Sequence, residues 1–182
     1  VAERWGSPWG LQQYQTSAPL LASTPSIHPS SSSLKKIVLR SEPLTFDGAE
    51  VESILKLDEA WIPTTFLAND FSSLDQTVID RITDLMWQQA GSEDEMTYDG
   101  AQQYIARLNQ EQFAGYDDWR LPNMRELLSI VDYGRDNPAI HPVFSTKTYW
   151  HWSSTSSARG PGVCQVVFST GNTRGGSKVV PY

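Results

Sequence analysis

The sequence holds one cysteine, Cys164, and three histidines in 182 residues. A lone thiol closes no internal disulfide, and with scattered histidines it supplies no common Cys/His zinc site. Cations are scarce as well: 14 Lys and Arg stand against 21 Asp and Glu, a net charge of -7. Nucleic-acid binding needs clustered cations to displace counterions, and the only adjacent basic pair is Lys35-Lys36. The balance works against nucleic acid and favours basic partners, cations or neutral sugars. No window approaches the roughly 20 consecutive apolar residues that cross a bilayer, so the chain is not expected to span a membrane. Val1 is followed by no basic-then-apolar segment, which is compatible with a mature exported chain and equally with a trimmed one. Also missing are Gly-x-Ser-x-Gly, a phosphate loop, a dinucleotide glycine pattern and His-Glu-x-x-His. Cys164 lies in a strand-like apolar run, where a buried inert thiol is expected. The sequence therefore predicts neither an enzyme nor a cofactor.

What is present suits a folded domain: 39% apolar and 19% charged residues, at a length that supports one core plus an arm. Residues 1–33 are rich in Ser, Pro, Thr, Ala and Gln and read as an extended arm. Trp5, Trp9 and Tyr14 are unusual in a spacer and read as anchors that dock on a partner or on the domain itself. Residues 34–65 hold a strand-like run, Leu34 to Arg40, and a short helix from Asp47, where Asp47 and Glu50 have capping-box spacing. Residues 66–182 read as the domain proper.

Within it, Thr77–Asp80 and Asp84–Trp87 read as two strands joined by a tight turn. Ala101, Tyr104, Ile105 and Leu108 make one helical stripe, and Met124, Leu127, Leu128 and Val131 make another. Pro122 forces extended geometry before the second helix, Asn123 caps it, and Glu126 completes the box. Thr148–Thr155, Val163–Phe168 and Lys178–Tyr182 follow as an antiparallel meander broken at its glycines. The order is α+β, with two helices packed on a twisted antiparallel sheet in which both ends of the domain meet.

Three segments carry a family resemblance: Asp84-Leu85-Met86-Trp87-Gln88-Gln89, the run from Tyr116 to Leu127 containing Asp118-Trp119-Arg120-Leu121-Pro122-Asn123, and His151-Trp152-Ser153-Ser154-Thr155. They resemble the "TGLMWQ", "DWRLPnikEL" and "YWSST" blocks of the Lcl C-terminal-domain family, named for the tail of a bacterial collagen-like adhesin. Pro138 to Phe144 adds to the match, which spans about Phe66 to Tyr182. The resemblance implies a C-type-lectin-like fold with a loop-rich ligand face near the last strands. It also implies an exported bacterial binding module, extracellular or periplasmic, recognising a glycan or a protein. The adhesin is associated with sulfated polysaccharides, an analogy that one fold with many functions does not carry over by itself. Asp84 departs from the family's usual Gly, which calls for an unusual φ or a different turn. Family members often close with a strand reading like "YVRCVR", where this sequence reads Pro181-Tyr182: either the chain is trimmed there, or the last strand is short and a sheet edge is left open to a partner.

The tempting charged site at Asp118, Trp119, Arg120 and Glu126 reads better as structure: a large ring buries area, and a guanidinium fork on a carboxylate pins strand to helix. Trp87 and Trp152 join Trp119, Arg120 and Glu126 as expected core. If Trp152 points inward, alternation sends Tyr149 and His151 outward to the ligand face. The loops beyond hold Arg159, Asn172, Arg174 and Lys178, donors and cations suited to hydroxyls, sulfates or a carboxylate. Glu93, Asp94, Glu95 and Asp99 form an oxygen-rich cluster of a kind that can bind calcium, but the calcium-loop pattern is missing and a solvated acidic turn is the better reading. The alternative to a binding module is a structural subunit, locked into a homo-oligomer or larger complex by the aromatic arm and an open sheet edge.

Overall fold

The computed structural model describes residues 6, 8–14, 36–39, 67–146, 150–157 and 162–177. Along them run β1 (Leu11–Gln13), β2 (Phe71–Leu74), β3 (Thr77–Asp80), β4 (Leu85–Gln88), α1 (Tyr98–Gln110), α2 (Met124–Ser129), β5 (Trp150–Ser156), β6 (Gly162–Val167) and β7 (Asn172–Ser177). The domain is α+β, with its strands in two antiparallel sheets, β1-β4-β3-β2 and β5-β6-β7. The single sheet expected from strands at both ends is thus replaced by two.

Of the two docking places open to the arm's anchors, Trp9 and Tyr14 take the domain itself. Residues 8–14 are part of the domain: Leu11 stands opposite Trp87 in β4, and on its other side Leu11 exchanges backbone hydrogen bonds with Arg120 at 3.0 and 2.9 Å. Trp9 is 0% exposed and its indole N–H donates to the Gln88 carbonyl at 2.7 Å, while Tyr14 is half-buried against the second core cluster. These rings had the composition around them of a spacer, but the area a tryptophan hides is enough to draw a short segment into a core. Trp5 lies outside the described residues, as does the helix expected from Asp47. Of the strand-like run at 34–40, residues 36–39 are described and form no strand, although the Ile37 N–H donates to the Ile82 carbonyl at 2.7 Å.

Alternate residues of the β3–β4 hairpin go to two different cores. Val78, Leu85 and Trp87 join Trp9, Phe144, Phe168 and α2's Leu127, whereas Ile79 and Met86 join α1's Ala101, Ile105 and Leu108 with Trp119 and Trp152. Both sheet faces are therefore covered, and one helix belongs to each side. Thr97 caps α1 by accepting from the Gly100 N–H at 3.2 Å. At α2 the capping box is complete: Asn123 accepts from the Glu126 N–H at 2.9 Å, and Glu126 accepts from the Asn123 N–H at 2.7 Å.

Asp80, fully buried at the end of β3, organises the turn that follows. Its carboxylate accepts from the Asn69 amide at 2.8 Å, the Asp70 and Ile82 N–H groups at 3.2 and 3.0 Å, and the Thr83 hydroxyl at 2.7 Å. The turn closes at Asp84 with φ +54, the left-handed geometry that the departure from the family's glycine required. Its side chain pairs with Lys36 at 2.6 Å on the surface, an interaction of small value. Asp84→Gly is expected to raise stability by up to about 1 kcal/mol in urea denaturation, since relief of the left-handed strain exceeds loss of an exposed pair. A loss of stability would show that the Lys36 pair outweighs the strain.

The third strand of the C-terminal meander is Asn172–Ser177, where the sequence predicted Lys178–Tyr182, which lies outside the described residues. Gly175 and Gly176, read as a turn, stand inside β7 opposite Cys164 and Val163. Glycine is disfavoured in strands but not forbidden, and a run of it misleads as a turn signal.

Candidate ligand-binding cleft

Beyond α2 the chain enters a loop held by backbone bonds. Val131 bridges Ile140, the Asp132 N–H donates to the Ala139 carbonyl at 3.1 Å, and the Ala139 N–H donates to the Phe168 carbonyl at 2.6 Å, where β6 turns toward β7. Gly171 in that turn has φ +71, and a Cβ there would meet Val131 Cγ1 at 2.8 Å and Tyr133 Cε1 at 3.2 Å. Only glycine permits this approach, which seats the Tyr133 ring against the turn while the residue stays 57% exposed. Burial of its phenol pushes the Tyr133 pKa up, so the hydroxyl keeps its proton at neutral pH.

The facing wall comes from the segment leading into β2 and from His141. Phe71 packs edge-on to Phe144, with centroids 5.2 Å apart, and tilted against His141 at 5.1 Å. The Val143 N–H donates to His141 Nδ1 at 3.2 Å, which leaves Nε2 as the ring's donor nitrogen. Asn69 is fixed by its bond to Asp80, and Asp132 Oδ1 accepts from the Gly134 N–H at 3.0 Å. With Leu67 and Ile130 these groups line a cleft of about 530 Å³, within the span of roughly 300–1,000 Å³ common for small ligands. The cleft offers an aromatic face, donors, a carboxylate acceptor and no lysine or arginine among its described lining residues.

A second, open groove of about 460 Å³ passes Tyr98, Asn109, Trp119, Arg120 and Ser154. Its main side chains are already engaged. Arg120 forks onto Glu126 at 2.8 and 2.7 Å, and that hydrogen-bonded pairing raises its pKa further. The Trp119 indole N–H donates to the Phe113 carbonyl at 3.0 Å, and its backbone is held by the Asn109 amide at 2.7 and 2.9 Å. Burial, with Asp99 nearby, pushes the Tyr98 phenol up as well. Trp87, Trp119, Trp152 and Glu126 are all buried, while Arg120 keeps 46% of its side chain exposed.

The residues nominated from sequence fall differently. His151 is not on an outer face: it is 0% exposed, tilted against Trp9 at 4.6 Å and edge-on to Phe168 at 5.1 Å, with the Thr146 hydroxyl 3.1 Å from Nε2. Trp152 on the opposite side of the strand donates to the Met96 carbonyl at 2.9 Å. Alternation assigns an outer face only when one side of a strand is solvated, and here both are packed. Asn172 and Arg174 are strand residues opposite Val167 and Gln165, not loop residues. Tyr149, Arg159 and Lys178 lie outside the described residues. The acidic turn gathers no group of three or more metal-ligating side chains among the described residues.

Sequence reasoning missed Asn69, Phe71, Asp132, Tyr133 and His141. A usable signal existed in Asp132-Tyr133-Gly134, an aromatic between a carboxylate and a glycine just past a capped helix. Cys164 is half-buried, where a fully buried thiol was expected, and the burial it has raises its pKa. At pH 8 its reaction with a disulfide reagent is expected to run at least about tenfold slower in the folded chain than in urea. Equal rates would mean that the thiol is not shielded.

Two antiparallel sheets, one capped helix on each side, and a cleft where the loop after the second helix meets the last turn define an α+β domain. No helix among the described residues is long and apolar enough to cross a membrane. The family model described as the Lcl C-terminal domain matches residues 76–181, and the chain belongs to that family. No curated protein and no solved structure matches the chain.

Proposed function

We propose that this chain is a non-catalytic recognition module of an exported bacterial protein, with a C-type-lectin-like scaffold that binds a glycan or a protein. The observation that carries the reading is the cleft beside Tyr133: an exposed aromatic with converging polar groups, on a loop pinned by backbone bonds. It lies against the β6–β7 turn, near the last strands that the family resemblance nominates as the ligand face. Membership in a family named for an adhesin's tail supports the same reading.

The groove beside Arg120 lends little to an enzymatic reading. General acid-base work near neutral pH needs groups that titrate there, yet the Tyr98 phenol and the Arg120 guanidinium are both shifted further from neutrality. The structural-subunit reading relied on the arm and an open sheet edge, and of the arm's anchors Trp9 cannot lock a neighbour while it fills this core. Purified full-length chain should bind one class of immobilised polysaccharide or surface protein saturably and release it unaltered by mass spectrometry. Time-dependent formation of a modified product would overturn the reading.

A further inference from the structure

We infer that the cleft beside Tyr133 selects an uncharged hexopyranose unit and rejects sulfated or otherwise anionic sugars, an inference that rests on the recognition reading above. A pyranose ring has an apolar face and a rim of hydroxyls, each both donor and acceptor. Tyr133, 57% exposed, presents an aromatic surface for the apolar face. For the rim, the cleft carries donors and acceptors in fixed positions. His141 donates through Nε2 because Nδ1 is held by the Val143 N–H at 3.2 Å. Asp132 accepts, its other oxygen being anchored by the Gly134 N–H at 3.0 Å. The raised pKa of the Tyr133 phenol adds an O–H that remains protonated.

Charge decides between sugars. A sulfate needs a lysine, an arginine or a cluster of free N–H donors to replace its water. Among the described lining residues there is no Lys or Arg, and the acidic one is Asp132, within a chain of net charge -7. A sulfate brought here would be repelled at short range and at long range alike. The same carboxylate could attract a cationic peptide, but the imidazole N–H and the phenol O–H then stand as surplus donors facing a donor. A polyhydroxyl ligand uses all three groups.

The test is binding of the full chain to three probes: a panel of neutral gluco-, manno- and N-acetylglucosamine oligosaccharides, a heparin hexasaccharide, and oligolysine. At least one neutral oligosaccharide should bind, uncompeted by heparin. Tyr133→Ala should weaken that binding about tenfold or more, while Tyr133→Phe, which keeps the ring, holds it within about threefold. Asp132→Asn should weaken it without creating heparin binding, and Asp132→Lys should shift preference toward heparin. Tyr133 is exposed on its loop, so unchanged melting of these variants separates contact from folding. Tyr133-dependent binding of heparin or oligolysine overturns the neutral-sugar assignment and keeps the recognition reading. Silence of the cleft toward all three probes, with variants that bind a surface protein as the native chain does, also overturns the assignment and leaves recognition to another face. A modified product in any arm sinks the recognition reading itself.

Discussion

A chain lacking residues 1–14 is expected to lose its cooperative thermal transition and to expose apolar surface to a dye such as ANS. The family match begins at residue 76, so composition and family would both permit this deletion. The packing does not. Trp9 lies at 5.3 Å from Phe144, 5.6 Å from Phe168, 6.3 Å from Trp87 and 4.6 Å from His151, at the centre of the ring cluster that joins the two sheets. Gly10 passes so close to Gln88 and Trp119 that a Cβ would come within 2.8 and 2.9 Å of them. The segment fills the space between β4 and residue 120 with no room left over. Trp9→Ala alone should cost about 3–5 kcal/mol, a large part of the roughly 5–15 kcal/mol that holds a domain folded. Deletion adds loss of the β1 backbone bonds on both sides, which leaves Trp87 and Phe168 facing water. A synthetic peptide of residues 5–16 added to the truncated chain should restore the transition. A truncated chain that melts like the native one would mean that the core closes without β1.

Much of this architecture can be read from local pattern, and the failures share one physical origin. The α1 and α2 stripes, the capping box at Asn123 and Glu126, and the β3–β4 hairpin with its strained Asp84 all depend on residues within a few positions of one another. The misplaced elements depend on contacts made across the chain. Trp9 pairs with Gln88 at a separation of 79 residues, and nothing near Trp9 announces that partner. His151 follows the same logic: its strand looks half-exposed by alternation, but a segment from the far N-terminus covers the other face. The cleft is hidden for a related reason, since Phe71 precedes His141 by seventy positions and neither is unusual alone. Only the Tyr133 loop carried a local mark.

The Arg120–Glu126 pair tests whether the platform and the recognition site are separate. Glu126 serves two partners: it accepts the Asn123 N–H at 2.7 Å and both guanidinium nitrogens of Arg120, with its side chain only 9% exposed against 46% for Arg120. Glu126→Ala should therefore cost about 2–3 kcal/mol, the cap and the fork together, and Glu126→Gln less, because an amide oxygen still accepts from Asn123. Arg120→Ala should cost about 2 kcal/mol, below the figure for a fully buried pair, since water reaches the guanidinium side. Arg120→Lys should recover little of that, because a point charge cannot fork. The backbone bridge from Arg120 to Leu11 survives all of these changes, so β1 stays in place and the damage concentrates on α2. The α2 helix leads into the loop of Ile130 to Gly134, one wall of the cleft. Ligand affinity measured well below the melting temperature should then fall only slightly in Arg120→Ala, by less than about threefold. If affinity disappears while melting is unchanged, Arg120 touches the ligand and the groove past Trp119 is the recognition site.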